Sequence, residues 1–139
     1  MRYMLDTNII SDLVKNPAGS VAGHIRRVGA DAVCTSVIVA AELRYGVLKK
    51  ASPVLAARVE AILRAIAVLP FDLPADAKYG ALRAALEAKG QPIGGNDLLI
   101  AAHAATLGIT MVTANVSEFG RVGELSVENW LDQPSRQPA

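Results

Sequence analysis

Apolar residues recur along this chain in two rhythms, and the switching between them lays out the elements. Short apolar runs at 2–5, 32–35, 68–71, 109–112 and 125–128 read as strands. Between them, apolar positions return every third or fourth residue. Ile9, Ile10, Leu13 and Val14 give a helix over 8–15, which Asn16-Pro17 stops. A second helix spans 20–28, with Arg26 and Arg27 outward and Gly29 closing it. Ser36 caps a helix over 37–50 that ends in Lys49-Lys50, cations suited to a helix C-terminus. Ser52-Pro53 opens another, whose Val54, Leu55, Val59, Ile62, Leu63 and Ile66 form one stripe. Leu73-Pro74 starts a helix running to Lys89, terminated by Gly90 and Pro92. The last long helix spans 96–107 and stops at Gly108, and 114–119 reads as a loop with a short helical turn.

Strands separated by helical segments require crossover connections. The expected fold is therefore α/β: a three-layer α/β/α sandwich around a mostly parallel central sheet. A length of 139 residues fits one domain, expected over 1–132, with 133–139 a frayed tail.

Composition narrows the class. With 52% hydrophobic and 19% charged residues the chain is apolar for a soluble protein, yet within the globular range. No apolar run approaches the roughly 18 residues of a membrane span. Met1 leads straight into a strand pattern without a signal-peptide layout, so a cytoplasmic protein with no membrane partner is expected. The lone Cys34 excludes an internal disulfide and a Cys-rich zinc site, and its apolar strand suits a buried, inert thiol. A net charge of +1 gives no global signal for nucleic acid, which would need a local basic patch. Surplus apolar surface on several helices favours a homodimer and a partner protein.

Candidate chemistry rests on acids. Asp6 follows the first strand, and Asp97 sits in the first turn of the helix that Gly94-Gly95-Asn96 introduces. An acid at a strand's carboxyl end and one at a helix start can face one crevice, where ligands sit in open α/β sheets. Asp97 alone is ordinarily a helix-starting residue. Glu42, among apolar neighbours, either pairs with Arg44 or another surface base, or faces that crevice. If the three carboxylates converge, they repel one another unless a cation compensates, and a hard divalent ion is the natural one. Such an ion with a phosphate substrate gives phosphodiester hydrolysis. His103 lies six residues beyond Asp97, about 240° round the helix, so it reads as structural. His24, beside Arg26 and Arg27, is expected to face solvent. Tyr45, Tyr79 and Trp130 are expected to pack or to lie at an interface.

The segments Leu5-Asp6-Thr7-Asn8-Ile9, Ala41-Glu42-Leu43-Arg44-Tyr45-Gly46 and Ile93-Gly94-Gly95-Asn96-Asp97-Leu98-Leu99-Ile100-Ala101-Ala102-His103-Ala104 resemble the PIN-domain family. The likeness is greatest to the VapC-type toxins of bacterial toxin–antitoxin modules, in order and spacing, from Met1 to about Trp130. It implies a metal-dependent endoribonuclease, using Mg²⁺ or Mn²⁺, that cleaves particular RNAs of the tRNA or rRNA class. It also implies a homodimer neutralised by a VapB-like antitoxin, with operator DNA met only through the antitoxin complex. Carried over, Asp6, Glu42 and Asp97 match the family's catalytic acids, with Asp6 and Asp97 the metal ligands. Thr7 and Asn8 are expected to cap the helix after Asp6, with a hydroxyl or amide lining the metal site as the second reading, and Thr113, at a strand end, to orient a carboxylate. Many PIN domains carry a fourth acid after the penultimate strand, where this chain has Asn115; Glu118, three residues on, is the substitute, and a second metal ion is left open. Arg44, Lys15 and Arg121 are the candidates for RNA contact.

Two other classes compete. A phosphoaspartate-type α/β domain would also place Asp6 at a strand end, but its second acid is missing, since Thr7-Asn8 follows. A catalytically silent PIN-scaffold binding module would keep the fold without cleavage; RNA cleavage abolished by EDTA separates it from the enzyme.

Overall fold

The computed structural model describes residues 1–131. Its strands are β1 (Tyr3–Leu5), β2 (Val33–Ser36), β3 (Ala67–Leu69), β4 (Thr110–Val112) and β5 (Val127–Glu128). All are parallel, in the order β3-β2-β1-β4-β5. The helices are α1 (Thr7–Lys15), α2 (Ser20–Val28), α3 (Val37–Lys50), α4 (Pro53–Ala65), α5 (Ala75–Ala88), α6 (Gly95–Leu107) and the short α7 (Val116–Phe119). Successive side chains of a strand point to opposite faces. All four residues of β2 are buried, so helices cover the sheet on both faces, as a three-layer sandwich requires.

The core gathers Met4 and Leu5 of β1, Ile9 and Ile10 of α1, Ile100 to Ala102 of α6, and Met111 and Val112 of β4, all fully buried. Cys34 is buried among them, and desolvation pushes its thiol up to about 11, so it stays protonated and inert. No helix among the described residues is long and apolar enough to cross a membrane.

Some boundaries differ from the pattern-based expectation. Asp6, rather than Thr7 or Asn8, caps α1, its carboxylate accepting from the Thr7 amide at 2.8 Å. A 3₁₀ turn at Ala30–Ala32 precedes β2, which extends to Ser36. β3 ends at Leu69, opposite Ser36, because Pro70 has no N–H with which to extend the ladder. α5 starts at Ala75, after a turn in which the Ala75 amide bonds the Asp72 carbonyl at 2.9 Å. β5 is confined to Val127–Glu128, since the Leu125 amide is spent in a turn on the Val122 carbonyl at 3.0 Å. The segment 133–139, expected to fray, lies outside the described residues.

Chain order runs outward from β1 in both directions, to β2 and β3 on one side and to β4 and β5 on the other. Between β1 and β4 the winding reverses. A crevice opens there beyond the strands' carboxyl ends, and the residues following β1 and β4 line it.

Candidate active site

Asp6 leaves β1 at that crevice and Thr113 leaves β4 beside it. Both are buried, Asp6 only 3% exposed. The Thr113 hydroxyl donates to Asp6 Oδ2 at 2.7 Å, and the Asp6 amide donates to the Val112 carbonyl at 2.9 Å. Asn8 donates weakly to Asp6 Oδ2 at 3.4 Å, while its own Oδ1 accepts from the Ala114 amide at 3.0 Å, tying α1 to the strand that follows it in space. Burial pushes the Asp6 carboxyl above the usual range, with Glu42 adding to the rise. The hydrogen bonds from Thr113, Thr7 and Asn8 oppose it.

Glu42 reaches the same crevice from α3. Its carboxylate accepts from the Thr7 hydroxyl on one oxygen and from the Asn96 side chain at 3.0 Å on the other. The alternative pairing with Arg44 does not occur. Arg44 forks onto Glu60 of α4 instead, at 2.9 and 3.0 Å, on the exposed side of the α3–α4 pair.

Asp97 enters from the first turn of α6 and is half-buried. Its carboxyl is pushed up from 3.8 to about 6, first by burial, then by the charges of Asp6 and Glu118, with a smaller push from Glu42; the Asn115 amide opposes these. Among the described residues none of the groups acting on Asp97 is positive. Asn115 donates to Asp97 Oδ2 and to Glu118 Oε2, each at 3.1 Å. Glu118, on α7, also accepts from the Gly94 amide at 2.6 Å. Those two hydrogen bonds hold its carboxyl below the usual range, with Arg121 contributing.

A divalent cation fits this crevice by the chemistry of its donors. Carboxylate oxygens of Asp6 and Asp97 are hard ligands, and no hydrogen bond reaches Asp97 Oδ1 among the described residues. Among the described residues no positive side chain acts on Asp97 to relieve its repulsion from Asp6, Glu42 and Glu118. Among the described residues no three acidic, His or Cys side chains gather tightly enough to enclose an ion by themselves. That suits Mg²⁺, which keeps several waters and takes only one or two carboxylates directly.

The structure therefore brings together Asp6, Thr7, Asn8, Glu42, Asp97, Thr113, Asn115 and Glu118. Asn96 belongs with them, and the sequence pattern did not single it out; its signal was its place immediately before Asp97, facing back toward α3. The basic candidates stand further out. Lys15 is exposed at the end of α1, and Arg121 donates to the Pro92 carbonyl at 2.7 Å beside the loop that leads to Asp97.

His103 stays apart from the carboxylates, as its helical phase predicts. It is buried, bonded through Nδ1 to the Ser36 hydroxyl at 2.8 Å, and set edge-on to Phe71. Desolvation lowers its pKa, so it rests neutral. His24 does not simply face solvent: its ring stacks on Trp130 at 4.9 Å and bonds Arg27 at 2.8 Å. Trp130 is buried, in agreement with a packing role, whereas Tyr45 is 65% exposed.

The PIN-domain family model matches residues 3–125. Ribonuclease VapC2 of Rickettsia felis is 39% identical over 132 residues, covering 94% of this chain and 98% of that protein. The tRNA(fMet)-specific endonuclease VapC of Shigella flexneri is 37% identical over 131 residues, covering 94% and 98%. In structure, VapBC2 from Rickettsia felis bound to a DNA fragment from their promoter superposes with a TM-score of 0.85 at 36% identity, covering 94% of this chain and 99% of the other.

Proposed function

The chain belongs to the PIN-domain family, alongside the VapC ribonucleases, and from that premise we propose that it is the toxin of a toxin–antitoxin pair. Its activity is a metal-dependent endoribonuclease, using Mg²⁺ or Mn²⁺, that hydrolyses phosphodiester bonds in a specific structured RNA of the tRNA or rRNA class. The observation that carries this reading is that Asp6, Glu42 and Asp97 act electrostatically on one another at the reversal point of the sheet, with no positive side chain among the described residues acting on Asp97. Naming of a relative as a tRNA(fMet)-specific endonuclease favours tRNA as the substrate class.

Asp6 and Asp97 are the residues that hold the cation. When bound, it polarises a phosphoryl oxygen and makes water a competent nucleophile at neutral pH. Glu42, kept in one orientation by Thr7 and Asn96, takes the proton of the attacking water on a carboxylate oxygen. Thr113 and the Thr7 amide favour the ionised form of Asp6 against its burial by donating to its two oxygens. Lys15, Arg121 and Arg44 hold the RNA backbone at the rim. The proposed partners are a VapB-like antitoxin, a second copy of the chain, and operator DNA reached only through the antitoxin complex; the VapBC structures support the first and last of these. A cytoplasmic location follows from those partners.

The test is cleavage of total RNA by the purified chain. Cleavage should stop with EDTA, return with Mg²⁺ or Mn²⁺, and be lost in folded Asp6→Asn, Glu42→Gln and Asp97→Asn. Wild-type cleavage by Glu42→Gln would remove Glu42 from the chemistry. EDTA-resistant cleavage would overturn the metal mechanism, and a folded protein that cuts no RNA under any of these conditions would point to a silent binding scaffold.

A further inference from the structure

We propose that Asn115 sets the cation count of this site at one, its side-chain amide standing where a second divalent ion would otherwise bridge Asp97 and Glu118. The inference rests on the reading above, in which Asp6 and Asp97 share one cation.

The two acids belong to different elements, α6 and α7, and nothing in the local chain obliges them to approach. They approach through one nitrogen. Asn115 Nδ2 lies 3.1 Å from Asp97 Oδ2 and 3.1 Å from Glu118 Oε2, so each of its two N–H groups is spent on a different carboxylate. The amide thus links two anions as a cation would, with a bond dipole in place of charge.

The arrangement leaves a second ion little to bind. The other oxygen of Glu118 is engaged by the Gly94 amide at 2.6 Å. Glu118 is therefore a positioning residue, anchoring the residue that precedes α6 and so fixing where Asp97 enters the crevice. A cation placed between Asp97 and Glu118 would break both Asn115 bonds and face the positive end of the amide.

The backbone of Asn115 is fixed from behind, and its side chain is held by the two carboxylates themselves. Its backbone amide donates to the Thr113 hydroxyl at 3.0 Å, and that hydroxyl donates to Asp6 Oδ2 at 2.7 Å. Asn115, three residues beyond β4, is in this way connected to both acids that hold the single cation, and its side chain lies on the Asp97–Glu118 side of them. An Asp at this position would supply an anion where the chain now supplies two donors.

The experiment is a Mn²⁺ titration of the full chain without RNA, with free Mn²⁺ read by electron paramagnetic resonance. Wild type should bind one Mn²⁺ per chain, and Asn115→Asp two, the second at least tenfold tighter than any residual second site in wild type. Adding Glu118→Gln to Asn115→Asp should return the count to one. Should Asn115→Asp fail to fold, Asn115→Ala carries the test: losing the bridging donor, it should also gain a second, weaker site. Two tight sites in wild type would overturn the inference while leaving the shared cation of Asp6 and Asp97 standing. A single site in a cooperatively folded Asn115→Asp, or in folded Asn115→Ala, would overturn it as well. Absence of Mn²⁺ binding by wild type would overturn this inference together with the reading beneath it.

Discussion

Asp97→Asn should make the metal-free protein more stable at neutral pH and no more stable in acid. The substitution keeps the size of the side chain and an oxygen that can accept from Asn115. It removes the charge that burial, Asp6 and Glu118 all disfavour. The carboxyl rises from 3.8 to about 6 on folding, which corresponds to about 3 kcal/mol of penalty on the ionised form. Asp97 is only half-buried, so solvent screening reduces the realised figure to about 1–2 kcal/mol. The sign follows from the direction of the rise. Below pH 3.8 the group is protonated in both states and costs nothing; as pH climbs through about 6 the folded state must give up a proton it holds more tightly than the unfolded chain does, and stability is lost. The parent should therefore lose stability relative to the variant between pH 4 and 7, with the difference complete by pH 8. Urea unfolding in EDTA at pH 4, 5, 6, 7 and 8 measures this directly, with an unchanged denaturant slope as the check on two-state behaviour. The reasoning fails if the variant gains nothing at pH 8, or if the gain at pH 8 persists undiminished at pH 4.

Further outcomes follow from the same geometry. Mg²⁺ at a hundredfold excess over its Kd should stabilise the parent by about 2.7 kcal/mol, and thermal unfolding should show little of that gain in Asp97→Asn; an equal shift in both would separate Asp97 from the cation. Thr113→Val removes the hydroxyl that donates to Asp6 at 2.7 Å, leaving a buried carboxylate oxygen short of a partner, and should cost about 1–3 kcal/mol by denaturant unfolding while raising the pH at which cleavage begins. An unchanged pH profile would mean that the hydroxyl does not favour the ionised form of Asp6. Cleavage should weaken with salt by about 0.7 log units per phosphate contact per decade. Lys15→Ala or Arg121→Ala should flatten that slope by about one contact, whereas Arg44→Ala should do so less, its guanidinium being forked onto Glu60. Equal slopes in all three variants and the parent would place the RNA contacts elsewhere.

Much of this architecture is written locally and can be read without a structure. Ser36 and Ser52 lie just ahead of apolar periodic runs, and each does cap its helix, accepting from the Ile38 amide at 3.0 Å and the Leu55 amide at 3.2 Å. Gly108 ends α6 in the left-handed region at φ 69°, which residues with a Cβ rarely adopt. Caps and periodicity are short-range, so they fix which segments are helices and strands, and their alternation forces parallel crossovers. Those same local signals put Asp6 at a strand end and Asp97 at a helix start.

Tertiary structure alone decided what those acids meet. Strand order sets β1 against β4, bringing Thr113 to Asp6 across 107 residues of chain, a contact no window of sequence contains. Glu42 had two open partners in the sequence. The phase of α3 against α1 and α6 gave it Thr7 and Asn96, while α4 supplied Glu60 to Arg44. Packing likewise stacked His24 on Trp130 instead of leaving it to solvent, and turned Asn115 into a link between two carboxylates. The physical reason is the same in each case. A residue's own chain sets its backbone conformation, but a side chain's partner is set by which elements pack against it, and that depends on burying the whole core at once.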